Sequence, residues 1–255
     1  MRRAALLAVL IATGTLAACG AASGSNPVAS AAARSQAQHT ELLDVVATMT
    51  SAQGDRMTLD GSGSFDSKEN RGDIRFHTTS MSVAPSAHPV RSMTETVTQG
   101  DNLWVSLQKG SIPGKTWIRF DRAKGVGQTG IDLAAVVGET PADLLGALRT
   151  AVSSRTLGSA TIGGVATTHY RVMLAPTPAT NAILNLMHPT FSPVDVWVDA
   201  KGLVRKLMLT YTLIDGANSA HLGVGLSMTF TGYGMPVAVM IPPKAMVVDA
   251  DEYVG

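Results

Sequence analysis

The chain has 255 residues, a formal net charge of +1 and only 15% charged residues, which excludes a surface built to hold nucleic acid or an acidic partner by charge. Hydrophobic residues make up 45% and aromatics only 5%, so apolar surface comes mainly from Ala, Val, Leu and twelve Met, a side chain that adapts to irregular shapes. A single cysteine excludes an intrachain disulfide and a thiolate metal cluster, which leaves packing alone to hold the fold.

Arg2 and Arg3 precede an apolar run from Ala4 to Ala18 that is broken only by Thr and Gly. This is the pattern of an export signal over residues 1–18, and it is too short for a permanent membrane span, which needs about 20 apolar residues. Leu16-Ala17-Ala18-Cys19 closes the run as a lipobox. Cys19 is therefore expected to receive a diacylglyceryl thioether and to anchor the mature chain on the extracytoplasmic side of the cell membrane. One acyl chain holds a protein marginally, at about 0.8 kcal/mol per buried methylene, and two or more hold it firmly. An ordinary secretory signal is the alternative, but it leaves unexplained why the lone cysteine stands at the lipobox position.

Residues 19–39 read as the lipidated cysteine and a flexible tether of Ala, Ser, Gly and Asn without hydrophobic period. Residues 40–255 then form one domain, large enough for a sizeable core. From Thr40 to Thr50, Leu42, Leu43, Val45, Val46 and Met49 recur at helical spacing, and a short amphipathic helix is predicted there. The period then changes to two. Met57, Leu59, Gly61, Gly63 and Phe65 alternate with polar residues, and Ile74 to His77 continue the pattern after a turn at Lys68–Gly72. Ser92–Thr98 and Asn102–Leu107 pair across Gln99-Gly100-Asp101, and Thr116–Phe120 follows Pro113-Gly114.

The middle of the chain turns helical. Ile131–Val137 and Pro141–Val152 are predicted as a broken helical hairpin, with Pro141 near a first helical position. Strands resume at Arg155–Ile162 and Val165–Leu174, and a third helical insert spans about Thr180–Met187, before Pro189. Val194–Thr212 is the clearest hairpin, turning at Asp199-Ala200-Lys201-Gly202. A strand through Leu222–Phe230 and a last one at Val237–Ile241, stopped by Pro242-Pro243, bring the count to about ten antiparallel strands with three helical inserts.

Signatures of catalysis are absent from this pattern. There is no G-x-S-x-G, no H-E-x-x-H, and the six histidines are scattered. His169 shares a strand face with Arg171 and comes near the Asp195 and Asp199 hairpin, which suggests a polar surface cluster. Acidic residues show no metal-ligand spacing, so no metal and no cofactor is expected. Gly125-Val126-Gly127-Gln128-Thr129-Gly130 matches a dinucleotide fingerprint, but no parallel strand and no acidic partner about 20 residues on accompany it. A loop at a cavity mouth is the better reading.

Thr167-Thr168-His169-Tyr170, Val194-Asp195-Val196-Trp197-Val198-Asp199 with Gly202-Leu203-Val204-Arg205-Lys206, and Gly232-Tyr233-Gly234-Met235-Pro236 through Pro242-Pro243 together resemble the LppX/LprAFG lipoproteins of actinobacteria. Asn102-Leu103-Trp104-Val105 and Lys115-Thr116-Trp117 fit the same pattern, so the resemblance covers roughly Glu41 to Asp249. It implies an α+β fold, a strongly curved antiparallel sheet forming a half barrel, with helices packed across its concave face, as in LolA and LolB. It also implies a lipid or glycolipid held in that concavity and moved through the envelope, with a membrane transporter or regulator as a further partner.

From the residues alone, a sheet with one apolar face either closes over an ordinary core or leaves a slot. A sixteen-carbon chain in water forfeits on the order of 12 kcal/mol, so a lipid crossing an aqueous gap calls for an apolar container. The residues expected to line it are Leu42, Val46, Leu133, Val137, Leu144, Leu148, Ile183, Leu186, Leu226, Met228 and Phe230. Trp104, Trp117 and Trp197 are expected to anchor the core, although an indole at the cavity rim could touch both acyl chain and headgroup. The expected function is a lipid-binding, non-enzymatic lipoprotein; the rival is an envelope sensor or regulator of the same fold without a transport role.

Overall fold

The computed structural model describes residues 26–81, 88, 90–121, 140–175, 193–215 and 220–253. Twelve strands make one unclosed sheet: β1 (Thr40–Ser51), β2 (Arg56–Asp66), β3 (Arg71–Met81), β4 (Val90–Gln99), β5 (Asn102–Ser106), β6 (Trp117–Asp121), β7 (Ala151–Ile162), β8 (Val165–Leu174), β9 (Val194–Asp199), β10 (Val204–Asp215), β11 (Ala220–Tyr233) and β12 (Val247–Asp249). Their spatial order is β12-β6-β5-β4-β3-β2-β1-β11-β10-β9-β8-β7. Every pairing is antiparallel except β12 on β6, which is parallel and fastened by the Arg119–Asp249 ion pair. Three helices are described: α1 (Pro27–Gln36), α2 (Pro141–Leu148) and the short α3 (Ala250–Tyr253).

Alternation decides which face is inside. On β1, Glu41, Leu43, Val45, Ala47 and Met49 are buried while Asp44, Val46 and Thr50 are exposed. The helix expected over Thr40–Thr50 is thus a strand. Five apolar residues fit a helical stripe, but the same segment also alternates, and its β-branched Thr40, Val45, Val46, Thr48 and Thr50 suit a pleated, half-buried surface. Pairing on both sides, with β2 and β11, settles the choice.

The sheet bends around its inner face. Gly61 and Gly72 lie under the rings of Phe76 and Phe65, their cross-strand partners, where a Cβ would come within 2.6 Å and 2.4 Å of the ring. At Gly63 a Cβ would fall 2.0 Å from the Asp73 carbonyl oxygen, so the β2 and β3 backbones approach more closely than any side chain permits. Glycines capped by aromatic rings are a device for curving a sheet without leaving a hole.

Two helices cover one part of the concave face. The expected flexible tether ends early, because Pro27–Gln36 is helical and its Val28, Ala31, Ala32 and Ser35 are buried. Asn26 caps it, accepting a hydrogen bond from the Val28 amide, and Pro27 supplies a preset φ at its start. The period is real but is written in alanine and serine, residues small enough for the helix to lie close to its neighbours. α2 begins with a capping box between Thr140 and Asp143 and buries Leu144, Leu145, Ala147 and Leu148. It ends at Leu148; of the expected extension to Val152, Arg149 and Thr150 form a turn, and Ala151 and Val152 open β7. The two helices touch through Gln36, whose side-chain amide donates to the Ala142 carbonyl at 3.0 Å.

The strand expected at Val237–Ile241 is absent, since that segment has no regular secondary structure and no ladder pairing, and β12 follows it instead. The predicted inserts at 131–137 and 180–187, and the glycine-rich segment 125–130, lie outside the described residues.

Candidate apolar ligand site

Along the strands the concave face changes character. Beneath α1 and α2, Leu43, Val45, Val172, Val194, Val196, Val204, Leu207, Leu226, Met228 and Phe230 form one packed cluster with the helices. Beyond Leu226, toward the end of β1, the same face opens into an apolar groove of about 490 Å³. Its floor follows from register: Met49 faces Met57 across β1 and β2, Met57 faces Ser80 across β2 and β3, and Ser51 faces Leu222 across β1 and β11. Asp55, Arg56, Met81, His88 and Val90 complete its lining. The volume lies within the 300–1,000 Å³ typical of small-ligand sites, and three methionines give its wall a deformable surface.

The residues expected to line a cavity fall into three groups. Leu144, Leu148, Leu226, Met228 and Phe230 are inward-facing but buried in the packed cluster, and none borders the groove. Leu42 and Val46 are on the opposite face of the sheet, with Val46 38% exposed, so they are corrected to outer-face residues. The error is one of period, since a strand sends alternate residues to opposite faces whereas a helix would gather both on one. Leu133, Val137, Ile183 and Leu186 lie outside the described residues, as does Cys19. Met49, Met57 and Leu222 were the missed positions. Their signal was alternation carried through to the strand ends, with methionine at two facing positions.

At the opposite end of the concave face is a buried carboxyl. Glu41 is 1% exposed, and neither carboxyl oxygen has a hydrogen-bond partner among the described residues. Burial, and secondarily the charge of Asp66, push its pKa up to about 7. Its neighbour in register, Tyr233, donates a 2.6 Å hydrogen bond to the Val204 carbonyl and lies beneath the Arg205 guanidinium.

The outer face carries a polar cluster. Arg171 donates two 3.0 Å hydrogen bonds to Asp195, and His169 Nε2 lies 3.2 Å from Asp195 Oδ1. Burial pushes the Asp195 carboxyl up, but Arg171 and His169 outweigh it and hold the group below the usual carboxylate range. His169 stacks on Trp197 with ring centroids 4.1 Å apart, and the Lys206 ammonium covers the indole at 5.3 Å. Trp197 is buried, as expected of an anchor, but on the outer face between His169 and Lys206, apart from the concave-face cluster and from the groove. The arrangement is the surface cluster that His169, Arg171 and Asp195 suggested in sequence. Among the described residues no group of three or more His, Cys, Asp or Glu could hold a metal ion, and no helix is long and apolar enough to cross a membrane.

No family model matches the sequence, and no curated protein is similar to it at the level of sequence. Among solved structures the chain is similar to LprF from Mycobacterium bovis, at 12% identity over 85% of this chain and 95% of that one, with a TM-score of 0.47. It is also similar to the Mycobacterium tuberculosis lipoprotein LppX, at 15% identity over 85% of this chain and 100% of that one, with a TM-score of 0.45. A LolA superfamily protein from Nitrosomonas europaea matches at 10% identity over 82% and 93%, with a TM-score of 0.31.

Proposed function

We propose that this chain is a membrane-anchored lipoprotein that binds a lipid or another apolar ligand in the groove at the end of its half barrel, and carries or presents it in the cell envelope. The observation that supports this reading is the groove itself: about 490 Å³ of space floored by Met49, Met57 and Leu222 and continuous with the core, in a protein with little charge to recognise a ligand otherwise. Burial of an acyl chain there needs no covalent chemistry, since each methylene removed from water contributes about 0.8 kcal/mol. The lipobox at Leu16–Cys19 adds a reason for the protein to reside beside its ligand's source.

The test is solvent extraction and mass spectrometry of the full chain purified without detergent exchange. A ligand-binding protein yields an acyl lipid at near one per chain besides any lipid attached to Cys19. A chain that emerges empty, and stays empty after incubation with phospholipid or glycolipid vesicles, contradicts the proposal.

A further inference from the structure

We propose that the domain stands on the bilayer with its groove end down, so that the apolar opening faces the lipid surface. The inference rests on the Cys19 anchor of the preceding section and adds an orientation to it.

The ladder fixes which features share an end. Val46, Ser227, Met208, Asp195, Arg171 and Arg155 are successive partners across β1, β11, β10, β9, β8 and β7. Met49, on the groove floor, lies three residues beyond this row on β1. Leu174 lies three residues beyond it in the same direction on β8, opposite Ala151.

The chain enters the domain there, because the Asn26 side-chain amide donates to the Ala151 carbonyl at 3.2 Å. α1 then runs away from the groove end and reaches Val204, four residues to the other side of the row on β10, through a 2.9 Å hydrogen bond to Ser35.

Seven peptide steps separate Cys19 from Asn26, a reach of about 25 Å when fully extended. The tether leaves at the groove end, and the far end stands a further length of α1 away, about 15 Å over its ten residues, so the groove end is the one the tether draws nearest the membrane. The same end exposes Met81 at 55%, Val90 at 67% and Val152 at 68%, apolar side chains that the headgroup boundary would cover. In this pose an acyl chain passes from bilayer to groove without crossing water.

The test uses the full chain, processed by a host that lipidates it and reconstituted in phosphatidylcholine vesicles containing a lipid with a nitroxide on its headgroup. Fluorophores are attached to single variants Val152→Cys, Val90→Cys and Lys201→Cys, all exposed positions, the last in the turn at the far end. Quenching is expected to be several-fold stronger at positions 152 and 90 than at 201; equal quenching, or stronger quenching at 201, overturns the orientation. An acylated Cys19 takes no dye, so the parent chain reports the anchor separately. A parent that remains unlabelled supports the anchor, and one that takes up one dye per chain overturns both the anchor and the pose that depends on it.

Discussion

The hydroxyl of Ser35, on α1, accepts a 2.9 Å hydrogen bond from the backbone amide of Val204, on β10, and both residues are fully buried. Val204 is the first residue of its strand, and its carbonyl is already taken by Tyr233. One serine therefore satisfies a buried amide and fastens the end of the helix to the sheet. Ser35→Ala leaves that amide unpaired in the core and is expected to cost about 1–3 kcal/mol in urea denaturation, with faster amide exchange along α1.

Glu41 makes stability depend on pH in the direction opposite to a paired carboxylate. Its folded pKa of about 7 lies above the ordinary 4.5, so below pH 4.5 both folded and unfolded chains hold the proton and nothing is lost. As pH rises from there through 7, the unfolded chain ionises first, and folding loses about 3 kcal/mol by mildly alkaline pH. The groups facing it are Asp66 and Tyr233, neither of which supplies a compensating positive charge. Glu41→Gln is expected to flatten the pH dependence between 5 and 7 and to exceed the parent in urea midpoint at pH 8.

Asp199 works the other way. Its carboxylate accepts from the Lys201 and Leu203 amides at 2.9 Å each and from Arg205 Nε at 2.7 Å, shaping the turn into β10. Burial pushes this carboxyl up, but the Leu203 amide and Arg205 outweigh it, so its folded pKa lies below the usual value. Its contribution is present above the ordinary carboxylate range and is lost as pH falls through the folded value. Asp199→Ala strands a largely buried guanidinium and is expected to cost about 3 kcal/mol at pH 7, less at acid pH, measured by thermal or urea unfolding.

Curvature can be tested with one methyl group. Gly63→Ala forces a Cβ against the Asp73 carbonyl, and opening the β2–β3 ladder to admit it is expected to cost about 2 kcal/mol or more. Gly225→Ala is the control, since nothing lies within 4 Å of its added carbon, and it is expected to be neutral or slightly stabilising in the same denaturation assay.

The strands were legible wherever polar and apolar residues alternate over a long enough run, as from Met57 to Phe65 and from Leu222 to Phe230, because a period of two has no helical competitor there. β1 was misread because Leu42, Leu43, Val45, Val46 and Met49 satisfy both periods, and only pairing with β2 and β11 separates them. That misreading sent Leu42 and Val46 to the ligand and hid Met49. α1 was invisible for a different reason: Ala31, Ala32 and Ser35 carry a buried stripe without the bulk that marks one in sequence. The groove was out of reach of sequence because it depends on where α1 and α2 stop covering the sheet. Leu226 and Leu222 sit on the same face of one strand, yet one is packed in the core and the other borders open space.

The central claim, that the groove end of the concave face holds an acyl chain, is tested most directly by photo-cross-linking. A phospholipid with a diazirine near the end of one acyl chain is bound to the full chain, irradiated, and the adducts are mapped by peptide mass spectrometry. The account expects adducts on the peptides carrying Met49, Met57 and Leu222, lost when Leu222→Trp fills the groove. Adducts confined to the exposed Met235–Met246 segment, or a map unchanged by Leu222→Trp, would contradict it.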